Sequence, residues 1–248
     1  MGKYVDCWYI TCRGSQRAQN EDNIVCCREY KPRVCPDMDE IKYVRFPLNE
    51  NLQFAVFDGM GGEECGELAS FLAADLLYKY EASSPGPLSD FCNKANDRIK
   101  QYMKENTIFS MGTTAAILRI SENLVECCNL GDSGIYEIST SGLTKLSKNH
   151  TIQIYGRKKP ALYQYLGIFE EDAVLEPYEF QKQYERNSMY LICSDGLTDM
   201  VPEAEIHTVL SRSEGYRGSV QLLKRAFKNG ARDNISFILL KLGGANDY

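Results

Sequence analysis

The chain has 248 residues, 44% of them hydrophobic, which is enough for one sizeable core and points to a single domain over 1–248. Its formal charge of −6 disfavours a nucleic-acid binder, since such proteins are more often basic. No apolar run approaches the roughly 18 residues of a membrane span, so no span is expected. Ten cysteines are present, but there is no Cys-x-x-Cys pair, and only His150 and His207 could join them in a zinc site. Residues 1–12 lack the long apolar stretch of a leader, so a reducing cytoplasm with buried thiols is the expected setting. Gly2 is followed by Asp6 where a myristoylation signal has Ser or Thr.

In chain order, YVDCWYITC at 4–12 and residues 23–28 read as strands flanking a polar turn. Residues 29–50, with Pro32, Pro36 and Pro47, read as an excursion carrying a short hairpin around Ile41–Phe46. LQFAVF at 52–57 is a buried strand ending at Asp58. Gly61–Gly62 then bends into a helix over about 63–80, with Leu68, Phe71, Leu72, Leu76 and Leu77 along one stripe, which Ser83–Pro87 stops. A second helix spans about 88–105. Strands over 112–120 and 124–130 meet across Ser121–Asn123, and 134–139 with 143–146 form a hairpin through Ser141–Gly142. Residues 147–187 carry no clear period. A strand at 188–193, helices at 202–210 and 217–229 and a strand at 235–242 complete the chain. Successive hairpins without regular βαβ alternation predict an α+β fold of antiparallel sheets packed together and covered by helices. Cys26–Cys27 and Cys127–Cys128, if on strands, point to opposite faces.

Five fragments carry aspartates: NED at 20–22, DGMGG at 58–62, GDSG at 131–134, SDGLTD at 194–199 and RDN at 232–234. Most follow or precede an apolar run, which is how strands deliver carboxylates to one point. Gathered without counter-charge they would repel and shift one another's protonation, and a divalent cation stabilises such a group. Asp58, Asp195 and Asp233 with the Gly59 carbonyl make a hard all-oxygen set suited to Mg²⁺ or Mn²⁺. DGMGGEECG matches neither the dinucleotide nor the P-loop glycine pattern, and the Cys-x5-Arg spacings at Cys7–Arg13, Cys27–Arg33 and Cys92–Arg98 hold no glycine, so none is a loop of the tyrosine-phosphatase kind.

RGSQRAQNED at 13–22, FAVFDGMGGEECGELAS at 54–70, MGTTAA at 111–116, NLGDSG at 129–134, LICSDGLTD at 191–199 and ARDNISFILL at 231–240 occur in the order of the PPM, or PP2C, metal-dependent Ser/Thr protein phosphatases. The chain resembles that family over nearly its whole length. The resemblance implies a four-layer α-β-β-α sandwich of two antiparallel sheets flanked by helices. It implies two Mn²⁺ or Mg²⁺ ions and a third, weaker one. Asp58 would bridge two ions, Asp195 and Asp233 would complete one, and the Gly59 carbonyl would ligate the other. Glu21 and Asp22 would hold metal-bound waters, Asp22 more closely, with Asp132 a ligand of the third ion. Arg17 would grip the substrate phosphate, its planar fork suiting two oxygens, and Asn234 would support the metal pocket. Asp58, Asp22 and Glu21 are thereby the catalytic candidates. The implied reaction is in-line attack of a metal-bridging hydroxide on phosphoserine or phosphothreonine in proteins. The implied partners are phosphoproteins made by Ser/Thr kinases, met by a monomer.

The sequence departs from the family at three places. Met60 stands where many eukaryotic members have histidine, as in bacterial members, and cannot transfer a proton. Gly134 replaces the arginine of GDSR, which points to a structural or local charge effect. The flap segment around 149–167 is short and holds Arg157, Lys158 and Lys159, suggesting a more open site with altered selectivity, or only a solvated basic turn. His150 is expected to be peripheral and His207 an ordinary helical residue. The competing readings are a regulatory module of the same fold that has lost activity, a nuclease, and a small-molecule phosphohydrolase. Keeping Asp58, Asp195 and Asp233 together argues against the first, and acidic charge against the second.

Overall fold

The computed structural model describes residues 3–244 except 28, 34–36, 39, 61–64, 81–85, 158 and 186. Gly2, Cys35, Pro36, the Gly61–Gly62 bend, the start of the first helix at 63, Ser83 of its stop and Lys158 therefore lie outside the described residues.

The chain runs β1 (Tyr4–Cys12), β2 (Asn23–Cys26), β3 (Glu29–Tyr30), β4 (Lys42–Pro47), β5 (Leu52–Phe57) and β6 (Gly59–Met60). Two helices follow, α1 (Gly66–Lys79) and α2 (Leu88–Asn106). Next come β7 (Gly112–Thr113), β8 (Ala115–Ile120), β9 (Leu124–Leu130), β10 (Gly134–Ser139) and β11 (Gly142–Lys145). The small strands β12 (Thr151–Ile152) and β13 (Ala161–Leu162) precede β14 (Tyr178–Gln183) and β15 (Met189–Cys193). The chain closes with α3 (Asp195–Thr198), α4 (Glu203–Arg212), α5 (Gly215–Lys228) and β16 (Ile235–Gly243).

Two six-stranded antiparallel sheets result, in the orders β11-β10-β15-β16-β1-β4 and β14-β9-β8-β5-β2-β3. They pack face to face, with helices on each outer face, which is the expected four-layer sandwich. The strand period of two assigns the layers. In β5, Leu52, Phe54 and Val56 face the other sheet, whereas Ala55 and Phe57 face α1 and α2. In β16, Ile238, Leu240 and Leu242 enter the seam between the sheets, and Ile235, Phe237 and Leu239 pack with Ile206, Val209, Leu210 and Leu222 of α4 and α5. A strand covered on both faces has no solvent side to show, which is why both runs are mostly apolar, with Gln53 in β5 and Ser236 in β16 as buried polar exceptions. Each fully buried Phe, Leu or Ile in these layers contributes about 1.5–3 kcal/mol relative to exposure.

Pro87 and Pro202 precede α2 and α4, where a missing N–H and a fixed φ suit a helix start. The hairpin expected around 41–46 is instead the single strand β4, which pairs antiparallel with β1 from Tyr4↔Pro47 to Tyr9↔Lys42. The unreadable stretch 147–187 contains β14, paired with β9 at the sheet edge. Cys127 and Cys128 do face opposite layers. Cys27 instead leaves the strand at φ 53° and packs on the same seam as Cys26. In that seam the Cys7 and Cys26 sulfurs lie 3.0 Å apart, joining one sheet to the other as free thiols. Among the described residues no helix is long and apolar enough to cross a membrane.

Candidate active site

Antiparallel register explains why the separated aspartates meet. The start of β2 pairs with the end of β5 at Asn23↔Phe57, so Asp22 and Asp58 flank one rung. The end of β15 pairs with the start of β16 at Cys193↔Phe237, which brings Asp195 toward Asp233. The start of β10 pairs with the end of β15 at Gly134↔Cys193, which brings Asp132 to the same edge. The end of β1 pairs with the start of β16 at Cys12↔Ile235, delivering the loop of Arg17. A cleft of about 660 Å³ opens there, lined by Arg17, Glu21, Asp58, Gly59, Met60, Asp132, Lys159, Asp195, Asp233 and Asn234 among others. Of the sequence-predicted site residues only Asp22 is absent from that lining, and it lies directly beneath, fully buried.

Asp22 bridges the sheets: its Oδ2 accepts hydrogen bonds from Ser194 Oγ (2.8 Å) and Ser236 Oγ (2.6 Å), while its Oδ1 has no protein partner. Burial pushes its carboxyl up to about 7, with Asp195 and Asp233 adding to the rise and the two serine hydroxyls opposing it. Asp58 is raised well above the carboxylate range, by removal from water first and then by Asp22, Asp195, Asp132 and Asp233. Its backbone is locked: its N–H donates to Thr114 Oγ1 (3.0 Å), and its carbonyl accepts from Thr114 N (2.9 Å) and Thr113 Oγ1 (2.9 Å). Asp132 is pushed up to about 6 by burial and Asp195, against the pull of Lys159. Burial also raises Glu21, with Arg17 lowering it in part.

Asn234 stitches the first motif to this edge. Its Oδ1 accepts from Glu21 N (2.9 Å), and its Nδ2 donates to the Arg13 and Gln19 carbonyls (both 3.0 Å). Ser70 of α1 donates to the Glu21 carbonyl at 2.6 Å. A Cβ on Gly59 would stand 2.2 Å from the Gly66 carbonyl oxygen and 2.5 Å from that of Glu21, so only glycine permits this approach. Gly134 is explained similarly. A Cβ there would meet the Tyr136 ring at 2.3 Å, and the buried Tyr136 closes off the space into which a longer side chain at 134 would project.

Two cations meet the carboxylates. Arg17 donates to Asp233 Oδ2 at 2.8 Å, and that bond raises its guanidinium further. Lys159 Nζ lies 2.5 Å from Asp195 Oδ2, 3.5 Å from Asp199 Oδ2 and 3.7 Å from Asp233 Oδ2. Partial burial works to lower its ammonium, but Asp195, Asp199 and Asp233 outweigh it. Among the described residues no group of three or more His, Cys, Asp or Glu is arranged to hold a metal ion as it stands. The donor chemistry nevertheless fits a hard divalent ion: clustered carboxylates, an orphaned buried oxygen on Asp22, and side-chain cations already drawn in.

Sequence reasoning passed over four contributors. Lys159 read as part of a basic turn, and Asp199 only as the tail of a motif. Ser194 and Ser236 could have been sought as hydroxyls beside strand ends, but not paired with Asp22. His150 is peripheral as expected, yet structural: its buried Nδ1 accepts from Gly131 N (3.2 Å), tying the Asp132 loop to the segment that leads to β12. Burial holds its imidazole below the ordinary value. His207 lies in α4, with its Nε2 3.1 Å from the Ser139 carbonyl.

Comparison with known proteins agrees with this fold. The sequence model of the family Protein phosphatase 2C matches residues 42–154. Serine/threonine phosphatase stp of Listeria welshimeri is 28% identical over 212 residues, covering 75% of this chain and 82% of that protein. The structure of PppA from Pseudomonas aeruginosa superposes with a TM-score of 0.78 at 24% identity, covering 96% of this chain and 98% of that one. The catalytic domain of serine/threonine protein phosphatase PstP, solved with two manganese ions, gives 0.74 at 23% identity, covering 97% and 99%. Fold, ordered motifs and these likenesses agree: the chain has the fold of the PP2C-type (PPM) phosphatases, and its sequence is similar to that family and to its bacterial serine/threonine members.

Proposed function

We propose that the chain is a metal-dependent phosphatase that hydrolyses phosphoserine and phosphothreonine in proteins, acting as one catalytic domain on the products of Ser/Thr kinases. The observation that carries this reading is the meeting of Asp22, Asp58, Asp132, Asp195 and Asp233, from five separate strand ends, at one cleft edge beside Arg17. Asp58, Asp195, Asp233 and the Gly59 carbonyl would hold two Mn²⁺ or Mg²⁺ ions. Asp22 would bind directly or through water, Glu21 through water, and Asp132 would take a third, weaker ion. When bound, these ions would supply Lewis acidity for activating water and for stabilising phosphate charge. The relative PstP, solved with two manganese ions, supports the choice of metal.

The chain's own groups then divide the work. Arg17, half-exposed at the cleft mouth, exchanges Asp233 for two phosphate oxygens and holds phosphorus in line. Ser194 and Ser236 fix Asp22 Oδ2, which leaves Oδ1 without a protein partner, as the acceptor that an ion or its water would take. Asn234 holds the Glu21 backbone against Asp233, so the two carboxylates keep their spacing through turnover. Met60 in the cleft wall offers no proton, so the leaving alkoxide takes its proton from water.

The test is phosphate release from a phosphothreonine peptide in EDTA, Mg²⁺ or Mn²⁺, with Asp58→Asn as control. Release that requires metal and is absent in the variant is the expected result. Metal-independent release, or none from folded and metal-loaded protein across several peptides, would sink the reading.

A further inference from the structure

Lys159 lies in the connection between β12 and β13, the small ribbon within the flap segment. Its ammonium reaches into the carboxylate edge and sits nearest Asp195, with Asp199 and Asp233 on either side. The side chain remains about half exposed (54%), so this is the tip of a flexible stem inserted from outside and no buried structural pair. A lysine suits the position: the ammonium is a compact point charge, unlike the directional fork of arginine. Two of its three partners belong to the proposed metal set. The third, Asp199, is exposed and lies outside that set, 3.5 Å from the ammonium.

We propose that Lys159 is a tethered competitor cation: it takes the Asp195 and Asp233 oxygens in the metal-free protein and must yield them when divalent ions load. This inference rests on the reading of those aspartates as metal ligands. Asp199 gives the displaced ammonium a neighbouring anion to retreat to, so a short swing of one side chain suffices. Since Lys159 is carried by the ribbon, metal occupancy and ribbon position become linked. By reciprocity, whatever pulls the ribbon off the cleft tightens metal binding by the same factor. The inserted cation also lessens the mutual repulsion of Asp132, Asp195 and Asp233 while metal is absent, so the empty protein keeps its fold.

The test is calorimetric titration of EDTA-stripped wild type, Lys159→Gln and Lys159→Arg with Mn²⁺ alone, alongside thermal melts of the metal-free proteins. For Lys159→Gln, Mn²⁺ should bind about three- to tenfold more tightly, the scale of a partly exposed ion pair removed from competition. Its metal-free melting temperature should fall by roughly 1–3 °C. Lys159→Arg, which keeps the charge but not the compact head, should fall nearer to wild type than to the Gln variant in both, and high salt should narrow the gap between wild type and the Gln variant. Equal or weaker Mn²⁺ binding in a folded Lys159→Gln protein overturns the inference and leaves the phosphatase reading intact. Absence of Mn²⁺ binding in every form overturns the metal reading itself, and the inference with it.

Discussion

The seam between the two sheets has two unlike regions. Over most of its area it is apolar, with Phe54, Val56, Leu118, Ile192 and Ile238 meeting across it. At one edge the same seam turns polar, and Asp22 reaches across to Ser194 and Ser236. The apolar region is self-sufficient, because each contact it needs comes from the chain. The carboxylate edge is not: its groups push one another toward protonation and draw in Arg17 and Lys159 for relief. A fold can thus place function by letting a stable interface run on into an edge that only an external charge completes.

Substitutions can break that contrast or sharpen it. Phe54→Ala, in the apolar region, should cost about 3–5 kcal/mol of stability in urea titrations, metal present or absent. A much smaller loss would mean that the seam is not the main support. Asp58→Asn should lower kcat/KM at least about 100-fold, yet the metal-free protein should melt no lower than wild type, since the amide mimics the neutral acid that crowding favours. A clear drop in the metal-free melt would deny that the edge is electrostatically strained.

Gly134→Ala should cost about 1–3 kcal/mol through collision with the Tyr136 ring. A double variant with Tyr136→Ala should cost less than the sum of the two singles. Strict additivity would remove Tyr136 as the reason for glycine. The smallest effect concerns His150, which burial keeps neutral in the folded state to lower pH than in the unfolded chain. As pH falls through about 6.5 the unfolded chain takes up the proton first, so stability declines until the folded-state value is passed. His150→Gln should flatten that part of the curve between pH 7.5 and 5.5. Parallel curves for the two proteins would contradict the burial argument.

Strands β5 and β16 were legible because both of their faces are buried, and a mostly apolar run announces itself even with Gln53 or Ser236 inside it. Strand β14 was not: YEFQKQ alternates half-buried and exposed positions at the rim of its sheet, and its pattern is that of any polar segment. The segment of β4 read as a hairpin closed on itself, because its true partner, β1, lies at least thirty residues away in sequence and local pattern does not reveal pairing. The aspartates could be found from their motif wording, since each marks a strand end. Lys159 could not, because its partners stand 36 to 74 positions further along, and nothing local distinguishes a lysine aimed at carboxylates from one in water. The Ser194–Asp22–Ser236 bridge was hidden for the same reason: it exists only once two sheets face each other.

The placement of Asp233 just before β16 has a consequence for synthesis. Strand β16 sits between β15 and β1, so the early pair β1 and β4 is joined to β10, β11 and β15 only through a strand made after all of them. A chain still emerging from the ribosome can form hairpins such as β8–β9 and β10–β11, but the two ends of that sheet stay apart until β16 is released. The cleft edge then closes in one step, with Asp233, Asn234 and the Arg17 loop arriving together, so the site comes into being only when translation of this region is finished.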